Sequence, residues 1–338
     1  MAKFMKQLLR HKGKYIIDKL FRYEYWNVGI IHQPISSLLQ DSSPEIDWLV
    51  PKPNVYYADP FIYRNRDRLH ILMEEIDYKT VNGYISTLQL PKNEEKPAKV
   101  SVNSSIINNG SHMSYPYVVE YENQTFCVPE TAEEKEVALY KLDPSTERWR
   151  KEKVLIKNFP GVDATLVRHG DYWWLFCTKA YENAQSQNSE LHIFYATDLF
   201  NEWNPHALNP VKVDVRSSRP AGTPFTCQGS LFRPAQDCSY TYGGRIVLNT
   251  IHTLTSTRFR ETPLSYISPR EDSLYPHGLH TISPVGDFTI VDGKRFDYHF
   301  SHFFKKLYRF KVIKANRDLL YSVRSKFGRQ ATYPKEFN

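Results

Sequence analysis

The sequence predicts an all-β fold, a five-bladed β-propeller, and three observations predict it. Runs of alternating polar and apolar residues, bounded by turn residues, follow one another through the middle of the chain. A unit of four such strands recurs: Asp59, Tyr115, Asp163, Arg219 and His280 open successive units, at separations of 56, 48, 56 and 61 residues. The composition, 14% aromatic with 21 Pro and 14 Gly, suits short strands and shaped loops better than a helical bundle. A period near 50 residues is a propeller period, and five units fit 338 residues.

In chain order, residues 4–21 come first and show helical spacing of Phe4, Leu8, Leu9, Ile16, Ile17, Leu20 and Phe21, interrupted by Gly13. The first repeat reads ADPFIYRNRDRLHILMEE and the second SYPYVVEYENQTFCVPE. The third, VDATLVRHGDYWWLFCT, is the clearest, with one of Trp173 and Trp174 in the core and the other between blades. The fourth contains GSLFRPAQDC, and the fifth is weak. Helical spacing returns over 303–327 with Phe303, Phe304, Leu307, Tyr308, Leu319, Leu320, Val323 and Phe327. The expected organisation is a basic amphipathic helix over 1–25, a propeller over 26–302 and a basic helical tail over 303–338.

Charge is uneven. Residues 1–23 carry a net +6 and residues 304–338 a net +8, leaving −7 on 24–303. Basic amphipathic ends predict peripheral contact with an anionic membrane. An acidic body would repel a phosphate backbone, which argues against nucleic acid. No apolar run reaches the ~20 residues of a membrane span, and no secretory leader is recognisable, so the expected place is the cytoplasm, at the inner face of its membrane. Cys127, Cys177, Cys227 and Cys238 show no C-x-x-C spacing; Cys127 and Cys177 sit in apolar runs and read as buried thiols. His277 and His280 lack a third ligand and do not argue for zinc, and no metal-ligating residues are assigned; His280 is expected to make one structural hydrogen bond in the channel, to water or to a calcium ion of the kind related propellers hold. No P-loop, GxGxxG, HExxH, G-x-S-x-G or Asp-x-Asp is present, and no cofactor is expected.

In a propeller the first strand of each blade lines the central channel. Asp59, Asp163, Arg219 and His280 are therefore expected to meet at one mouth, with Glu75, Glu130, Gln236 and Asp237 from the ends of the second strands. Glu75, His112, Tyr115, Glu190, His192, Gln236 and His280 are candidates to line sugar subsites. Arg216, Arg219 and Arg233 lie close in the fourth unit, and arginine binds phosphate bidentately.

WNVGII (26–31), YADPFI (57–62), MEEIDY (73–78), SYPYVVE (114–120), VPET (128–131), VDATL (162–166), ELHIFYA (190–196), DVRSSRPAG (214–222), RPAQDCS (233–239) and LHT (279–281) resemble a known domain. It is the N-terminal propeller of plant glucosamine inositolphosphorylceramide transferases, also present in bacterial polysaccharide clusters. At greater distance the pattern resembles five-bladed furanosidase and fructosyltransferase propellers. That resemblance implies Asp59, before Pro60, as base or nucleophile and Asp163 as transition-state stabiliser. A general acid Glu usually opens the fourth blade there, whereas this chain has Arg219. Without an acid, a poor leaving group is not protonated. The expectation is therefore a glycosyltransferase of bacterial capsule or O-antigen assembly. It would move a sugar, a furanose such as fructose or arabinose, from a sugar nucleotide or sugar phosphate to an oligosaccharide or lipid-linked acceptor. Arg219, with Arg216 or Arg233, would hold the leaving phosphate, and Glu130 would be a second candidate base. A furanosidase-type glycoside hydrolase and a non-catalytic glycan-binding propeller are the alternatives.

Overall fold

A computed structural model describes residues 16–52, 55–66, 68–77, 82–90, 102–180, 184–300, 302–304 and 306–307. The chain divides into two units, Tyr25–Arg295 and Met1–Glu24 with Phe296–Asn338. The larger unit is a five-bladed β-propeller. The chain first forms β1 (Arg22–Ile31) and β2 (Asp47–Trp48). Blade 1 follows as β3 (Val55–Asn65), β4 (Arg68–Asp77), β5 (Gly83–Gln89) and β6 (Val102–Ile107). Blade 2 is β7 (Ser114–Tyr121), β8 (Gln124–Glu130), β9 (Glu136–Asp143) and β10 (Arg148–Lys157). Blade 3 is β11 (Gly161–His169), β12 (Tyr172–Lys179), β13 (Glu190–Ala196) and β14 (Asn204–Pro205), with β15 (Lys212–Val213) also on β13. Blade 4 is β16 (Phe225–Cys227), β17 (Ser230–Asp237), β18 (Arg245–Leu254) and β19 (Phe259–Ile267).

The weak fifth repeat has a topological cause. Its sheet runs β2, β1, β21 (Phe288–Tyr298), β20 (Ile282–Val285), so half of it comes from the opposite end of the chain. A repeat scan along the sequence cannot see a blade assembled in this way. It also moves a boundary: β1 begins at Arg22, inside the stretch read as a helix over 1–25. Residues 16–21 are helical, as are 302–304 and 306–307. The rest of the expected terminal helices, 4–15 and 308–327, lies outside the described residues.

Hairpin turns fall where turn chemistry places them. Glu122 and Asn123 both take positive φ (49° and 58°) between β7 and β8, the geometry that matches strand twist. Gln228 and Gly229 do the same between β16 and β17. Between blades 2 and 3, Phe126, Val128 and Leu139 pack with Leu166, Leu175 and Phe194, joined by Trp173. Each such Leu or Phe contributes ~1.5–3 kcal/mol by burial. Trp174, buried, clusters with Phe176, Leu191 and Ile193, and Ile251, Leu254 and Phe259 of blade 4 pack against this cluster. All four cysteines are free thiols, and Cys127 and Cys177 are buried.

Candidate active site

One backbone device repeats on the inner strands. Asp59 (φ 52°), Tyr115 (φ 43°) and Asp163 (φ 53°) all lie in the left-handed region. Each sits at a register shift: Ala58/Phe61 in β3, Ser114/Tyr117 in β7 and Val162/Thr165 in β11. A bulge inserts one residue and re-aims its side chain, at a backbone cost of roughly 1–2 kcal/mol for a non-glycine residue. The bulge thus sets these three side chains out of the alternating pattern of their strands.

Asp59 and Asp163 are both buried. Asp59 Oδ1 accepts from Thr281 Oγ1 (2.7 Å), and Oδ2 accepts from the Tyr115 N–H (3.3 Å). The Tyr115 hydroxyl pairs with Thr165 Oγ1 (2.8 Å) and accepts from the Gly222 N–H (2.6 Å), so Tyr115 ties blades 2, 3 and 4 together. Asp163 takes Arg219 Nε at 2.6 Å, Arg219 Nη2 at 3.4 Å and Gln236 Nε2 at 3.0 Å. Arg219 also donates to Asn188 (2.9 Å) and lies over the Tyr242 ring, 4.9 Å from its centre. His280 Nδ1 meets Asp292 Oδ2 at 2.5 Å and its Nε2 faces Asp59 Oδ1 at 3.7 Å, while Trp26 stacks on the imidazole at 3.9 Å.

The electrostatics follow from burying many carboxyls together. Burial pushes Glu130 up to about 8, and Asp163, to which it hydrogen-bonds, pushes the same way against Arg219. Burial raises Asp59 to about 6, with His280 opposing and Asp292 assisting. Glu74 is held well above the usual carboxylate range by burial, then by Asp59 and Glu130. Burial works against the charge on His280, and Asp292 and Asp59 outweigh it, so its pKa is raised. Asp59, His280 and Asp292 present donor atoms within 4.8 Å of one another. These atoms are already engaged: Asp292 accepts from the N–H groups of Asp59, His280 and Thr281 as well as facing the imidazole. The trio reads as a hydrogen-bonded charge network.

The remaining sequence candidates fall elsewhere. Arg219 is spent on Asp163, so the expected open phosphate contact is not formed. Arg216 is exposed and pairs with Asp214 (3.0 Å), because a two-residue separation favours the local partner. Arg233 is fully buried against Glu261 (2.6 Å), a partner 28 residues away that Lys212 shares. The three arginines therefore form no joint anion clamp. Glu75 turns to Tyr84 and Ser104 within blade 1, since strand alternation sends adjacent residues to opposite faces, and Glu74 takes the pit side. Asp237 pairs with Arg245 (2.9 Å) and caps Ser239. His192 is buried edge-on to Phe159, with Glu190 beside it on β13. His112 stands at the rim, its Nδ1 accepting from Gly83 N–H (3.1 Å) and its Nε2 3.4 Å from Glu74.

Sequence reasoning missed Asp292, Glu74, Trp26, Tyr242 and Thr281. Asp292 had a signal, a lone carboxylate in the apolar run FTIVDG.

Residues 47–273 match the family model described as glucosamine inositolphosphorylceramide transferase 1, N-terminal. Glucosamine inositolphosphorylceramide transferase 1 of rice (Oryza sativa subsp. japonica) is 34% identical over 215 residues, 63% of this chain and 28% of that protein. The Arabidopsis thaliana protein of the same name is 31% identical over 216 residues, with the same coverage. The chain thus spans little more than a quarter of these relatives. Among solved structures, an exo-β-1,3-galactanase from Clostridium thermocellum shares the fold at TM-score 0.50 and 13% identity, over 69% of this chain and 57% of that one. A GH43 β-1,3-galactosidase does so at TM-score 0.50 and 10% identity, over 73% and 56%. These findings correct the expectation of bacterial capsule or O-antigen assembly: the curated relatives are plant proteins named for inositolphosphorylceramide. With more than half of its length under one family model, the chain belongs to the family of the N-terminal domain of glucosamine inositolphosphorylceramide transferase 1.

Proposed function

We propose that the pit is a glycosyl-transferring active site that works on a glycoside by carboxyl acid–base chemistry. Asp59 is the base, Glu130 the acid, and Asp163, held by Arg219, steadies the positive charge that develops on the sugar. One arrangement carries this reading: in one pit of buried carboxyls, burial and Asp163 push Glu130 up to about 8, whereas His280 and Thr281 oppose the rise at Asp59, which reaches about 6. Two carboxyls with separated proton affinities are what breaking a glycosidic bond requires. The acid lacking at the head of blade 4 is thereby supplied from the end of β8 in blade 2. The spent arginines argue against a phosphate leaving group. The glycosidase fold likeness and the transferase name of the relatives both fit glycosyl transfer, to water or to an acceptor hydroxyl.

Nitrophenyl galactosides and arabinofuranosides, with and without an added alcohol acceptor, test it. Nitrophenol release that falls by a factor of ~10²–10⁴ in Asp59→Asn and Glu130→Gln is expected. Glu130→Gln recovers on dinitrophenyl glycosides, which need no acid. Absence of release, with stabilisation of the protein by a sugar nucleotide, defeats the proposal.

A further inference from the structure

The terminal unit, Met1–Glu24 with Phe296–Asn338, carries an apolar face of its own. Ile16, Ile17, Phe300, Phe304 and Leu307 are each 44–66% exposed. The two segments that carry them are tied together. The Lys306 ammonium donates to the carbonyls of Asp18 and Lys19, Tyr298 donates to Asp18 (2.8 Å), and the His302 imidazole meets the Phe21 carbonyl (3.0 Å). The Phe21 ring stacks on Phe300 (5.8 Å), and Phe300 stands edge-on to Phe304 (5.7 Å).

The same unit concentrates positive charge. Residues 1–23 hold seven Lys and Arg against Asp18, and residues 304–338 hold ten against Asp318 and Glu336, while the rest of the chain is acidic. Exposed aromatic and branched side chains call for an apolar partner, and the basic sequence of the same segments calls for an anionic one. Anionic lipid headgroups over acyl chains meet both demands at one surface. We propose that the terminal unit docks on an anionic membrane, with Ile16, Ile17, Phe300, Phe304 and Leu307 entering at headgroup level and the basic sequence of residues 1–23 and 304–338 supplying charge for lipid phosphates. This mode needs no spanning helix, and none of the described helices is long and apolar enough to be one.

Co-sedimentation of the full chain with phosphatidylcholine vesicles, with and without phosphatidylglycerol, tests the proposal. The chain is expected to pellet with the anionic vesicles, to remain in solution with the neutral ones, and to be released by salt. Phe300→Asp with Phe304→Asp should weaken the partition at least about tenfold. Ile16→Ser with Ile17→Ser is an independent second variant, and each is checked for an unchanged melting transition. Binding to neither vesicle, equal binding to both, or variants that bind like the parent each overturn it. So does a dimer in light scattering that the same substitutions convert to a monomer, since a second copy would then cover these side chains.

Discussion

Replacing Arg219 with Met would leave the shape of the pit nearly intact and remove its central cation. The Asp163–Arg219 contact is 2.6 Å, and the two side chains are 3% and 8% exposed. Without the guanidinium, Asp163 keeps Gln236 as its side-chain donor while Glu130 lies against it. Removing one partner of a buried pair costs about 3–5 kcal/mol, because the survivor stays desolvated. At ~2–4 °C per kcal/mol, the melting transition should fall by roughly 10 °C. Asp163→Asn alone should be of similar severity. The double variant is the sharper measurement: if the two groups act as one pair, it should recover at least about 2 kcal/mol relative to additivity. Urea unfolding of the four proteins reads this directly. Additive losses, or a cost under about 1 kcal/mol for Arg219→Met, would refute the account of Arg219 as the partner of Asp163.

Stability should fall as pH rises from about 4 to 8. Folded Glu130 keeps its proton to about 8 and unfolded Glu releases it near 4.5, so between these values the folded state holds more protons. That contribution is complete below 4.5 and lost as pH passes 8; Asp59 adds the same sign between 3.8 and about 6. Glu130→Gln should flatten the upper half of the profile in denaturation midpoints. Glycoside cleavage should be bell-shaped, rising as Asp59 deprotonates near 6 and falling as Glu130 does near 8, in initial rates against pH. Gly222→Ala should abolish soluble protein in an expression test, because φ is +109° and a Cβ would stand 1.8 Å from the Ile282 carbonyl oxygen. Tyr115→Phe should cost about 1–3 kcal/mol in urea unfolding by orphaning the Gly222 N–H.

The repeat made Asp59, Asp163, Arg219 and His280 legible, since with Tyr115 they recur at separations of 48 to 61 residues, although Asp59 and Asp163 lie within β3 and β11 and Arg219 and His280 precede β16 and β20. Gln236 followed from the strand after Arg219. Glu75 misled because alternation gives two neighbouring residues opposite faces, and two adjacent glutamates carry no mark of which one faces the pit. Arg233 misled because its partner, Glu261, lies in another strand of the same sheet. Asp292 went unread because β21 belongs to the blade whose other half lies at the start of the chain. Local pattern shows which residues open strands; it does not show which charges find each other across them.

The closing blade also fixes where the polypeptide enters and leaves the ring. The His299 amide reaches the Phe21 carbonyl at 3.4 Å, so the two crossing points are neighbours. A closed body with adjacent ports behaves as a cassette: spliced into a longer chain, it interrupts the host by only a few ångströms, and neither part has to be rethreaded.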